Sequence, residues 1–121
     1  MLERILFIAL GSAIGGVMRY LVSRAIPSVS AFPWATFVVN IAGCFLIGLI
    51  YGLIDRGVNM SDNTRLFLTV GFCGGFTTFS TFVHENYTLF GSDNILTVSS
   101  YAALSFFVGL LLVYAGHAIT K

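Results

Sequence analysis

Apolar residues run through this chain in four long stretches, separated by short polar or proline-containing segments. A helix needs about 20 mainly apolar residues to cross the hydrocarbon core of a bilayer, so the pattern predicts four spans at about 4–25, 33–54, 65–89 and 95–118. Pro27 and Pro33 punctuate the first connection, Asp55, Arg56, Asn59 and Ser61 to Asn63 mark the second, and Gly91 to Asn94 mark the third. No linker, low-complexity segment or internal repeat divides the chain, and one four-helix domain covers residues 1–121.

The third stretch departs from a plain span. Gly74-Gly75-Phe76-Thr77-Thr78-Phe79-Ser80-Thr81-Phe82 puts a glycine pair and four hydroxyls inside a lipid-compatible run. Glycine weakens helix, and Thr and Ser hydroxyls compete for nearby backbone groups. The helix is therefore predicted to be interrupted near mid-membrane. Non-helical backbone at that depth is tolerated only where protein buries it or water reaches it, and discontinuous helices of this kind hold ions or substrates in transporters.

Composition fixes the class. The chain is 57% hydrophobic and 9% charged, with a mean hydropathy of +0.93, against about 25% charged residues in typical soluble domains. This is an integral membrane protein. The first stretch lacks the basic start, short apolar core and small-residue cleavage site of a signal peptide, and Arg19 interrupts it, so it is expected to be retained. Arg4, Arg56, Arg65 and Lys121 fall on one side of a four-span topology, with Arg24 and Arg19 toward the other. That split is too small to set one orientation by the positive-inside rule, so single and dual insertion both stay open.

Polar and small residues within the spans need partners in the bundle or in water. Thr36, Asn40 and Gly43 share one face of the second helix, and Thr97, Tyr101, Ser105 and Gly109 repeat along the fourth. A membrane Ser or Thr usually bonds its own helix, whereas the Asn40 amide has two readings, a helix-to-helix bond or a ligand contact. Gly11 with Gly15, Gly48 with Gly52 and Gly71 with Gly75 have the spacing of close helix approach. A bundle this small has little interior of its own, and self-association is expected. No Asp, Glu, Lys or Arg lies clearly at the centre of a span. Neutral donors and phenyl edges, whose quadrupole is positive, can solvate a small anion without trapping it. From the residues alone, the reading stops at an ion or small-solute pathway.

Other residues have ordinary explanations. Arg19 snorkels to the interface or gathers anions at a pore mouth. Glu85 faces a wet vestibule, in a gating or a structural role. His84 and His117 are solvated, with no metal-site spacing; Cys44 and Cys73 act as small apolar residues without a disulfide. Trp34 and Tyr114 suit the interface.

Gly74 to Phe82, preceded by Gly71-Phe72-Cys73, resembles the third-helix signature of the small fluoride channels, the Fluc or CrcB family. The resemblance extends to Gly11-Ser12-Ala13-Ile14-Gly15-Gly16 with Arg19-Tyr20, and to Thr36-Phe37-Val38-Val39-Asn40 with Gly43, in family order over nearly the whole chain. It implies a passive, selective fluoride channel conferring fluoride resistance in a bacterial inner membrane. It also implies an antiparallel, dual-topology homodimer with two pores. On this resemblance Asn40, Phe79 and Phe82 line the fluoride path, with Ser80 and Thr81 beside it and Tyr101 and Ser105 continuing it on the fourth helix. Gly109 offers no hydroxyl at that track's next position. Gly74 and Thr77 would lend backbone carbonyls to a central structural sodium ion shared by both subunits. The implied partners are fluoride, sodium, a second copy and the lipid bilayer, with no nucleic acid.

Two alternatives belong to other classes. A small proton-coupled multidrug exporter needs a membrane carboxylate, and the only acid near the first helix is Glu3 at its start. A noncatalytic membrane assembly subunit would use the polar stripes as packing glue. No nucleophile with a plausible base and no metal cluster supports an enzyme.

Overall fold

The computed structural model describes all residues, 1–121, and is entirely helical, with four helical stretches long and apolar enough to cross a membrane. Helix α1 is Leu2–Ala25, α2 is Trp34–Asp55 and α6 is Ile95–Thr120. The third stretch, Asp62–Gly91, is composite: α3 (Asp62–Leu66), a π-helical segment (Phe67–Cys73), a short α4 (Gly74–Phe76), and α5 (Phe79–Gly91).

The ends of these helices follow local chemistry. The Ser61 hydroxyl accepts the Thr64 N–H at 3.1 Å and caps α3. After α2, Gly57 takes φ +92°; its N–H bonds the Ile54 carbonyl while the Val58 N–H bonds Leu53. That paired closure is the Schellman pattern, and its left-handed residue is normally glycine. Asp93 closes α5 the same way at φ 57°, with Asp93 to Phe90 and Asn94 to Leu89 bonds.

Packing is organised by glycine. Helix α1 lies along the first half of the third stretch, and α2 along α6. A Cβ on Gly11 or Gly15 would collide with the backbone at Phe67 or Phe72, and one on Gly75 with the Ser12 backbone. Gly48 and Gly116 likewise let α2 and α6 meet backbone to backbone, at Val113 and Leu49. The glycine pairs therefore hold the chain's own helices together where lipid supplies no hydrophobic drive. Each pair has a partner inside the chain, in keeping with the close helix approach expected from its spacing.

Only 15 of 121 residues are buried, and large apolar side chains cover the outside, as in helices that face lipid or another subunit. The junction of the two helix pairs is where the third stretch breaks.

Candidate functional site

The break lies at Thr77 and Thr78, which adopt extended backbone (φ −88°, ψ 161° and φ −150°, ψ 115°). Gly74 and Gly75 themselves remain helical. The glycine pair, expected to weaken the helix here, does not itself make the break; Gly75 serves the contact with α1, and the hydroxyl residues after it turn the chain. The Thr77 N–H is the last to continue the ladder, to the Cys73 carbonyl at 3.0 Å, where the Thr77 hydroxyl also donates at 2.8 Å. Thr78 then starts α5: its Oγ1 accepts the Thr81 N–H at 3.3 Å and donates to Thr81 Oγ1 at 3.0 Å.

The polar face of α2 meets the third stretch residue by residue. Asn40 Oδ1 accepts the Thr78 N–H at 2.8 Å, and Asn40 Nδ2 donates to the Thr78 carbonyl at 3.1 Å. One side chain therefore replaces both ladder bonds of one residue in the break, Thr78, and one Nδ2 hydrogen is left over. Of the two readings of Asn40, the helix-to-helix bond is present. Three residues on, Gly43 leaves room for the Thr77 methyl group. Four residues before, the Thr36 hydroxyl donates to Glu85 Oε2 at 2.8 Å.

Glu85 is half-buried, and its other oxygen accepts the Tyr101 hydroxyl at 2.8 Å. Tyr101 is wholly buried, and its ring stands edge-on to Phe82 with centroids 4.9 Å apart. Phe82 in turn lies 6.1 Å from Phe79, so a line of rings joins the break to the carboxylate. Spacing gave no sign of the Thr36–Glu85–Tyr101 bonds, which join three helices; a carboxylate in register with hydroxyl stripes was the only available clue. Nor did it reveal the π-helical segment, since no residue type announces one.

Asn40 lines two cavities. One of about 300 Å³ includes Phe79, Phe82 and Ser105, whose Oγ is buried without a hydrogen-bond partner. The other, about 380 Å³, includes Gly74, Thr77 and Phe79. Phe79 is 77% exposed and Gly74 is exposed beside it. Ser80 is exposed and lines neither cavity. Gly109, next on the α6 track after Ser105, faces Cys44 Sγ.

Arg19 reaches inward rather than snorkelling. Its Nε donates to the Gly75 carbonyl at 3.1 Å, just before the break. With Thr36, Thr81 and Glu85 it borders a third space of about 270 Å³, so Arg19 and Glu85 share one polar recess. Thr81 Oγ1 accepts from Thr78, which leaves its own O–H free to donate. His117 Nε2 pairs with Asp55 Oδ2 at 2.7 Å at the far end of the bundle, away from the break.

The site combines a broken mid-membrane helix, neutral donors, aromatic edges and an inward arginine. Chains similar in sequence to this one are known. The family model described as CrcB-like protein, Camphor Resistance (CrcB), matches residues 6–117. A protein of Flavobacterium psychrophilum named fluoride-specific ion channel FluC is 44% identical over 99% of this chain and 98% of its own length. Proteins of the same name from Azobacteroides pseudotrichonymphae and Bacteroides fragilis are 39% and 43% identical, covering 100% and 95% of this chain and 98% and 94% of their own lengths.

Proposed function

The chain belongs to the CrcB family, and from this premise we propose that it is a multi-pass protein of the bacterial inner membrane that conducts fluoride passively and selectively out of the cell. It is a channel and not an enzyme. The observation that carries the reading is the cavity at the break, where Asn40, Phe79, Phe82 and the unpartnered Ser105 hydroxyl converge with no ionised side chain among them.

Fluoride is small and strongly hydrated. It enters only where close donors replace its water, and leaves only if no site holds it too tightly. The spare Nδ2 hydrogen of Asn40, the Ser105 and Thr81 hydroxyls and the edges of Phe79 and Phe82 supply such graded solvation. Tyr101 contributes through its ring, because its hydroxyl is already given to Glu85. Chloride is larger and uses the same donors less well. The Arg19 guanidinium offsets the Glu85 carboxylate that borders the same recess, so the recess does not repel an anion.

The working unit in this reading is an antiparallel homodimer with two pores. In its support, Gly74 and Phe79 lie exposed on the open side of the break, and irregular backbone at membrane depth needs protein or water against it. A structural sodium ion at the dimer centre fits the same backbone. The Thr78 N–H goes to Asn40 instead of the Gly74 carbonyl, so Gly74 and, beyond the end of the ladder, Thr77 have oxygens to offer a hard cation. Bound there, sodium would supply positive charge and tie the two breaks together.

The exporter reading finds no coupling group on α1. Glu3, the one acid on α1, accepts from Asn63 Nδ2 at 2.9 Å on the exposed end of the bundle.

Efflux from liposomes tests the proposal. Fluoride is expected to leave without a proton gradient, and Phe82→Ile and Asn40→Asp are expected to slow it. Fluoride efflux unchanged in both variants would remove the pathway assigned here; proton-driven drug uptake would restore the exporter. Labelling of tagged termini from both membrane faces is expected, and labelling from one face only sinks the antiparallel dimer.

A further inference from the structure

The line of aromatic rings does not end at Tyr101. Phe32, in the loop between α1 and α2, packs its ring on Tyr101 with centroids 5.2 Å apart at 70°. It also contacts Trp34 at 4.5 Å and Phe37 at 5.4 Å. Pro33 follows directly, and its carbonyl accepts the Phe37 N–H as α2 begins. The loop residue is thus held against the start of a membrane helix, with its ring on a side chain that is itself wholly buried.

Tyr101 is gripped from three directions. Phe32 packs on its ring from the loop, Phe82 packs on it from α5, and its hydroxyl is fixed on Glu85, whose second oxygen is fixed by Thr36. Of these groups only Phe32 lies outside the membrane helices and away from the cavity at the break. A tyrosine that lost it would lose the packing that sets its ring plane, and with that plane go both the aim of its hydroxyl at Glu85 and the surface on which Phe82 leans.

We infer that Phe32 is a positioning residue for permeation: through Tyr101 it fixes both the Glu85 carboxylate and the Phe82 ring edge, while touching no ion itself. This rests on the channel function proposed above. A side chain in a connecting loop then sets the geometry of the path, since an edge-on ring works as an anion contact only in a narrow range of orientations.

A double-mutant cycle in liposomes separates this role from plain packing, since residues acting through one another give losses that do not multiply. Phe32→Ala is expected to slow fluoride efflux about tenfold, a scale set by the loss of an aromatic contact. Tyr101→Phe, which deletes only the hydroxyl on Glu85, is expected to slow it as well. The double variant is expected to be no slower than the slower single one. Losses that multiply, or Phe32→Ala efflux within about twofold of the parent, overturn the inference. Elution as a single folded species is checked first; if Phe32→Ala fails there, Phe32→Leu keeps the apolar volume without the ring and enters the same cycle under the same criteria. A parent protein that passes no fluoride refutes the channel, whereas a conducting parent with an unaffected Phe32 variant refutes only the role of the loop.

Discussion

Replacing Asn40 with alanine tests how the break is held open. The side chain makes two hydrogen bonds to the backbone of one residue, 2.8 Å from the Thr78 N–H and 3.1 Å to the Thr78 carbonyl. Alanine leaves both backbone groups without a protein partner near mid-membrane. If the space is dry, each orphaned group costs about 1–3 kcal/mol, and the variant loses about 2–6 kcal/mol of stability. If water enters and takes over, the loss falls toward the average of about 0.6 kcal/mol measured for hydrogen bonds between membrane helices, or about 1 kcal/mol for the pair. Asn40 borders cavities of about 300 and 380 Å³, roomy enough for water, so the expected loss is about 1–3 kcal/mol. Reversible unfolding in micelles measures it, and fluoride efflux from the same preparation should fall with it. A variant as stable as the parent would refute the claim that Asn40 substitutes for the helix ladder.

Other substitutions probe separate contacts. Gly75→Ala puts a methyl group into the Ser12 backbone, and thermal unfolding should show a loss of about 1–3 kcal/mol, as for overpacked cores. Thr78→Val removes the α5 cap and should cost about 0.5–2 kcal/mol in the same assay, with faster hydrogen exchange confined to the first turn of α5. Replacing sodium by a bulky organic cation should weaken dimerisation, read as monomer–dimer exchange in bilayers; dimers indifferent to sodium would argue against the central cation.

Much of this architecture is legible in the residues. Four apolar stretches predict helices that are found within a few residues of Leu2–Ala25, Trp34–Asp55, Asp62–Gly91 and Ile95–Thr120, because span length is dictated by the bilayer. The spacing of Thr36, Asn40 and Gly43 identified one face of α2, and each of the three meets the third stretch. Where the break falls was less legible. Glycine signals both weak helix and close packing; here α1 uses it for packing, and the turn passes to Thr77 and Thr78. The Glu85 bonds and the Phe32 contact join residues far apart in the chain, which periodicity along a single helix cannot register. Arg19 illustrates the same limit: composition sends it to the interface, and only the fold supplies the Gly75 carbonyl that draws it inward.

The central claim is passive conduction that favours fluoride. Purified protein in liposomes loaded with equal fluoride and chloride, at the same pH inside and out, can be followed with electrodes for both ions after a potassium ionophore is added. The account predicts rapid loss of fluoride with chloride retained; chloride escaping as fast as fluoride, or no fluoride release until a proton gradient is imposed, would contradict it.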